Sequence, residues 1–172
     1  DDRYYWHIAP YAPAEPRIAF AGFMPKSGSM RIAGEYGYIP LTFHVAPEHV
    51  ALHWDSILEG SAQSGRTPER TIWRQARDIS VAETEQEARQ AAVHGCMGEF
   101  WNRHFKLIAE KMRIIDLFRR NDAPRDVAAD AAYMVTHGTW FVGTPDQVVD
   151  QIVEQYELTG GFGTLLQLGY DY

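Results

Sequence analysis

The chain has 172 residues, of which 45% are apolar and 23% charged. Those proportions belong to a globular protein and exclude a disordered or collagen-like chain. No apolar run reaches the roughly 18 residues that a membrane-spanning helix needs. Sixteen Lys and Arg against 23 Asp and Glu leave a formal net charge of −7, which argues against a nucleic-acid or anionic-membrane partner. Arg113, Arg119 and Arg120 gather locally, but aspartates bracket them, and the cluster reads as a solvated helix face. Cys96 is the single cysteine; with no intrachain disulfide to form, it suits a reducing compartment, and the expectation is cytoplasmic.

In chain order, Tyr4 to Pro16 is aromatic and proline-rich and is expected to be an ordered extended loop. Arg17 to Ala21 is a short apolar run closed by Gly22, the signal of a buried strand. Pro25 to Ser29 is a turn. Met30, Ile32, Ala33 and Tyr36 then have the spacing of a short helix, which Gly37 ends. Tyr38 to Phe43 reads as a second strand that contains Pro40, a residue with no ladder donor. Pro47 sits at a first helical position, with Val50, Ala51, Trp54, Ile57 and Leu58 as the apolar face. Gly60 to Pro68 is expected to be a loop, and Arg70 to Val81 a long third strand.

Thr84-Glu85-Gln86-Glu87 is a capping box, in which the Thr84 hydroxyl and the Glu87 carboxylate satisfy each other's backbone N–H. The helix that it opens is expected to run, with breaks at Gly95 and Gly98, to about Phe118. A shorter helix ends near Gly138, and Trp140 to Gly143 reads as an apolar connector. Thr144-Pro145-Asp146-Gln147 is a second capping box, opening a helix with an apolar stripe at Val148, Val149, Ile152, Val153 and Tyr156. A last strand covers Thr164 to Leu168. The order is strand, helix, strand, helix, strand, helices, strand, which is α/β with a parallel sheet covered by helices. Residues 1–172 read as one unit without an internal domain boundary. Both ends read as interruptions, because the chain opens Asp1-Asp2-Arg3 and stops just past a strand.

Chemistry has few candidate places. Gly22 to Ser29 joins a strand to a helix, a junction that turns backbone N–H groups and the positive helix end towards an anion. Gly28 lets the backbone approach, Ser27 and Ser29 add hydroxyls, and Lys26 adds charge. The alternative is a plain loop with Ser27 or Ser29 capping the helix. His49 and His53 stand four apart on one helix, but no third metal ligand accompanies them. His44 lies just past the second strand, on the side where parallel α/β proteins keep their sites. Arg77 and Asp78 point to opposite faces of the third strand if it is regular; either can be functional, and a structural ion pair is the commoner role. Cys96 is not expected to be a nucleophile, and Phe100, Trp101 and Phe105 recur at the spacing of core residues.

Four segments together resemble one family. Pro16 to Gly22 with Ala33-Gly34-Glu35-Tyr36-Gly37, then Trp73 to Thr84 around Arg77-Asp78-Ile79, then Val142 to Val148, and finally Gly160 to Leu166, are similar to elements of the bacterial luciferase-like flavin monooxygenases. The limonene monooxygenase-like branch is the nearest in pattern. The resemblance implies a TIM (β/α)8 barrel that carries reduced FMN at the C-terminal ends of its strands, with the phosphate held by the loop after the fifth strand. Carried onto this chain, that loop is Gly22, Ser27, Gly28 and Ser29, the segment that the spacing also singles out. The implied chemistry is addition of oxygen to reduced flavin, giving a flavin hydroperoxide that oxidises a small organic substrate. A separate flavin reductase and a homo-oligomer are the implied partners, with no nucleic acid and no membrane.

A complete barrel needs eight strands and typically about 250 residues, whereas four strands are legible here. The matching part corresponds to strands five to eight, the C-terminal half. The family's flavin-facing histidine belongs to the first half, so no catalytic residue is carried over. Two rival expectations stand beside the leading one: a deazaflavin-dependent dehydrogenase on the same barrel, and a non-catalytic flavin-binding or half-barrel subunit.

Overall fold

Four short strands lie side by side, every neighbouring pair parallel, in a computed structural model that describes residues 17–170. They are β1 (Ala19–Gly22), β2 (Ile39–Thr42), β3 (Arg74–Arg77) and β6 (Thr164–Gln167), in the order β1-β2-β3-β6. A second parallel pair joins β4 (Ile79–Val81) to β5 (Phe141–Gly143). The stretch from Tyr4 to Pro16, expected to be an extended loop, lies outside the described residues. Among the described residues no helix is long and apolar enough to cross a membrane.

Helix α1 (Gly28–Tyr36) follows β1, capped by Ser27 and ended by Gly37 in the left-handed conformation. The helix expected from Pro47 is divided at Leu52 into α2 (Pro47–Ala51) and α3 (His53–Gln63). Gly60, expected in a loop, is inside α3. A Cβ there would lie 1.9 Å from the Arg31 carbonyl oxygen, and a Cβ on Gly34 would lie 2.1 Å from the Ile57 carbonyl oxygen. The two glycines therefore let α1 and α3 cross backbone against backbone, and Ser61 Oγ seals the crossing by donating to the Gly34 carbonyl at 3.2 Å. Met30, Val50, Trp54, Ile57 and Trp73 fill the space between these helices and the sheet.

The expected long third strand is in fact three pieces. A 3-10 turn covers Arg70–Ile72, β3 follows, and Asp78 interrupts the ladder before β4. Beyond it, α4 (Glu85–His94) opens with the expected capping box and stops at Gly95. Gly98 does not break the chain; it is inside α5 (Cys96–Phe100), which leads through a π-helical turn (Trp101–Phe105) into α6 (Lys106–Lys111). A positive φ of 59° at Arg113 ends that run short of Phe118. Trp101 Nε1 donates to the Ala129 carbonyl at 2.7 Å, fastening this excursion to α7 (Ala131–Thr136).

The connector expected at Trp140 to Gly143 is a strand, β5, which pairs with β4 along three residue pairs. Helix α8 (Pro145–Thr159) carries the second capping box and ends at Gly160. The expectation that every strand is covered on both faces holds only for the centre. β1 leaves Ala19 and Ala21 exposed on one face and β6 leaves its end residues Thr164 and Gln167 exposed, whereas Gln75, Ala76 and Arg77 of β3 are buried. The architecture is α/β with parallel sheets, and every loop of interest lies at the C-terminal ends of the strands.

Candidate functional site

The strand-to-helix junction after β1 is built by a cap. Ser27 is buried, and its Oγ accepts the Met30 N–H at 3.3 Å, so the hydroxyl serves the helix as the capping alternative anticipated. Gly22 packs under it, since a Cβ on Gly22 would lie 2.5 Å from Ser27 Oγ. Gly28 is exposed, with no atom within 4 Å of the place where a Cβ would stand, and Ser29 is half-buried. Their N–H groups belong to the first turn, ahead of the intrahelical ladder, where the helix end is positive. A hollow of about 540 Å³ opens beside them, lined by Lys26, Ser27, Gly28 and Arg31 and, from the facing helix, by Asp55 and Glu59. Of the four expected residues, Gly22 and Ser27 shape the turn, while Gly28 and Ser29 present its backbone.

The loop leading into this turn rests on His53, the first residue of α3. His53 is fully buried; its Nε2 lies 2.8 Å from the Met24 carbonyl oxygen and its Nδ1 2.9 Å from Thr42 Oγ1. Trp73 Nε1 donates to the same Thr42 hydroxyl at 2.8 Å. Burial drives the imidazole pKa down to about 4, against the raising effect of the Met24 and Phe23 carbonyls, with His49 and Arg77 adding repulsion. The expected His49/His53 metal spacing is thus spread over two helices, with both ring nitrogens of His53 engaged.

The ends of β2 and β3 and the segment after β6 meet at a second cluster. His44, two residues past β2, donates from Nδ1 to the Asp78 carboxylate, and Tyr170 donates its hydroxyl to the other carboxylate oxygen. His44 and Asp78 are buried, and the rings of Phe43, Phe105 and Phe118 stand 4.4, 5.2 and 5.6 Å from the His44 ring. The His44 Nε2 has no hydrogen-bond partner among the described residues. Burial, followed by the Asp78 charge, raises the Tyr170 pKa, so its phenol remains a donor. Across the same ends runs a line of aromatic rings, Phe23 to Phe43, Phe43 to Phe105, Phe105 to Phe100 and Phe100 to Tyr170, at centroid distances of 4.4 to 6.3 Å.

Arg77 and Asp78 do not form the ion pair that adjacency suggests. Arg77 turns to the helix side, where Nε and Nη2 donate to Gln155 Oε1 at 2.8 and 2.6 Å and Nη1 to the Val45 carbonyl. Complete burial lowers its pKa to about 9. Of the basic cluster expected on a solvated helix face, Arg113 is exposed but Arg119 and Arg120 are not. Arg119 is buried, donating to the Pro124 and Val127 carbonyls at 3.0 and 2.8 Å with its guanidinium 4.6 Å from the Tyr133 ring. Arg120 pairs with Glu48 and Glu154. Arg119 thus fastens the loop that follows it, whereas Arg120 joins parts 72 and 34 residues away. Thr42, Trp73 and Tyr170 escaped the sequence reading, although each lies within a few residues of a parallel strand, Thr42 and Tyr170 at C-terminal ends.

The chain is 30% identical over 165 residues to 3,6-diketocamphane 1,6-monooxygenase of Pseudomonas putida, covering 96% of this chain and 43% of that protein. It is 31% identical over 168 residues to limonene 1,2-monooxygenase of Rhodococcus erythropolis, covering 95% of this chain and 40% of that protein. The solved structure of the oxygenating constituent of 3,6-diketocamphane monooxygenase from the same Pseudomonas, in complex with FMN, superposes with a TM-score of 0.84, over 91% of this chain and 43% of that one. The chain therefore spans less than half the length of the relatives it matches. Residues 4–161 match the luciferase-like monooxygenase family, and the chain belongs to that family.

Proposed function

We propose that this chain forms strands five to eight of a (β/α)8 barrel in a flavin-dependent monooxygenase, which uses reduced FMN and oxygen to oxidise a small organic substrate. The observation that carries the reading is the 0.84 superposition, at 30% identity, on an oxygenase in complex with FMN. The same likeness favours FMN over a deazaflavin. That neighbour is an oxygenating constituent, which supports a separate reductase as the source of reduced flavin. A homo-oligomer and a cytoplasmic location complete the reading.

The residues present fit an FMN phosphate. The Gly28 and Ser29 N–H groups and the Ser29 hydroxyl supply donors at a positive helix end, Lys26 and Arg31 line the hollow beside them, and no side chain fills the space over Gly28. Asp55 and Glu59, on the far wall, confine the anion to the α1 side. Gly22 and Ser27 act by shaping the turn. Bound reduced FMN supplies the electrons and the reactivity towards oxygen. The chain's own part is to orient it and to exclude water, and the aromatic line from Phe23 to Tyr170 is the surface suited to the second task.

The test uses the full-length protein, titrated with FMN and with riboflavin, then assayed for oxygen consumption with reduced FMN and a panel of ketones and terpenes. Tighter binding of FMN than of riboflavin and substrate-dependent oxygen uptake are expected. Ser27→Asp keeps a competent helix cap, because aspartate caps as well as serine, and it sets a carboxylate against the phosphate; FMN binding is expected to be lost. No substrate-dependent oxygen uptake and no oxygenated product with any reduced flavin would overturn the reading.

A further inference from the structure

The turn that would hold the phosphate is tethered from one side. Between Gly22 and Ser27 no backbone–backbone hydrogen bond crosses the loop among the described residues. What holds it is the Met24 carbonyl on His53 and the Phe23 ring, 4.4 Å from that of Phe43. The Met24 side chain is exposed, so the backbone oxygen, and not side-chain packing, anchors this residue.

The donors and acceptors allow one arrangement. The Met24 oxygen can only accept, so His53 Nε2 carries a proton and donates to it at 2.8 Å. Trp73 Nε1 can only donate, so Thr42 Oγ1 accepts from it at 2.8 Å and turns its own proton to His53 Nδ1 at 2.9 Å. All four groups are satisfied with a neutral imidazole in the Nε2–H tautomer. A doubly protonated ring would set two N–H donors, those of Trp73 and His53, on one hydroxyl and leave the Thr42 proton without its acceptor. The line thus runs from the buried Trp73 at the head of β3, through the end of β2, to the loop after β1.

We infer that His53 is a positioning residue for the cofactor phosphate: through Met24 it sets the angle at which the Gly28 and Ser29 N–H groups leave the α1 terminus. The inference rests on the phosphate reading above. A free carbonyl at Met24 would let the loop swing while Ser27 still capped α1, so the helix would survive and its aim would not. Neither hydrogen bond is visible from residue spacing, because Met24 and His53 are 29 residues apart.

The experiment measures FMN and riboflavin affinity in the full-length protein and in His53→Leu and His53→Gln, with hydrogen exchange of residues 23–29 recorded without flavin. Glutamine keeps one donor and one acceptor at the spacing of the two ring nitrogens. His53→Leu is expected to weaken FMN by about tenfold, the worth of one net buried hydrogen bond, with riboflavin little changed. Exchange in 23–29 should rise in His53→Leu, and His53→Gln should restore both properties. Equal affinity of the unaltered protein for FMN and riboflavin overturns the phosphate reading and this proposal with it. A phosphate preference that survives in His53→Leu overturns the proposal alone. Should His53→Leu fail to fold, the ring nitrogen signals of His53 in the unaltered protein decide: an Nε2–H tautomer that responds to FMN and not to riboflavin supports the proposal, and the other tautomer or no response to FMN overturns it.

Discussion

His44 Nδ1 donates to the Asp78 carboxylate across the ends of two neighbouring parallel strands, and Tyr170 closes the same carboxylate from the segment after β6. Three parts far apart in sequence therefore depend on one buried acid. Asp78→Ala would leave a buried ring N–H and a phenol without an acceptor, at a cost of about 3 kcal/mol. Tyr170→Phe removes one of the two bonds and should cost about 1 kcal/mol. Denaturant unfolding of the full-length variants checks both. Because His44 and Tyr170 share the acid, His44→Ala combined with Asp78→Ala should cost less than the sum of the two.

The buried His53 makes stability fall on acidification. Its folded-state pKa is about 4, against about 6.5 unfolded. Above the higher value both states are neutral and no penalty exists. Between about 6.5 and 4 the unfolded chain binds the proton and the folded chain does not, so stability drops as pH falls. The loss reaches about 3 kcal/mol near the lower value. His49 and Arg77 repel the charge, whereas the Phe23 and Met24 carbonyls favour it. Unfolding free energy measured from pH 7.5 to 4.5 should show a slope that shrinks by up to one proton in His53→Gln; an unchanged slope would contradict this assignment.

The crossing of α1 on α3 has no room for a methyl group. Gly34→Ala or Gly60→Ala would force a Cβ to about 2 Å from a backbone carbonyl oxygen on the other helix, and each should destabilise by about 3 kcal/mol as the helices separate. Gly28→Ala, where the space is open, should leave stability within about 0.5 kcal/mol. Thermal unfolding of the three variants distinguishes a packing requirement from a general intolerance of alanine in α1.

Arg77 is a buried cation held by an amide and a backbone carbonyl and no carboxylate. Its partner matters more than its charge. Gln155→Leu would strand the guanidinium and remove the Gln155 donor to Gln75 Oε1, formed at 2.6 Å; a cost of about 3 kcal/mol is expected. Arg77→Met removes the charge itself and should cost less, since an apolar side chain of similar length suits a buried site. Equilibrium denaturation ranks the two, and the reverse order would show that the cation is net stabilising.

Much of the architecture is legible along the chain because its signals are local. The two capping boxes at Thr84 and Thr144 appear as expected, since a cap depends on residues three apart. The end of α1 at Gly37 is legible for the same reason. Errors arise where a distant neighbour decides. Gly60 looks like a loop residue until α1 is laid across it, and Trp140 to Gly143 looks like a connector until β4 supplies a partner. Arg120 looks like part of a solvated face until Glu48 and Glu154, 72 and 34 residues away, pair with it.

The sequence by itself determined the class, the parallel order of strands and helices, and the glycine- and serine-bearing turn at the head of α1, because periodicity, caps and turn residues act within a few positions. Only the tertiary structure decided that Ser27 serves the helix while Gly28 stands exposed, that Asp78 belongs to His44 and Tyr170 and not to Arg77, and that His53 holds Met24. Those choices turn on which buried donor reaches which buried acceptor. That is set by how helices and strands remote in the chain pack together, and the hydrogen-bonding needs of groups removed from water then select the partner.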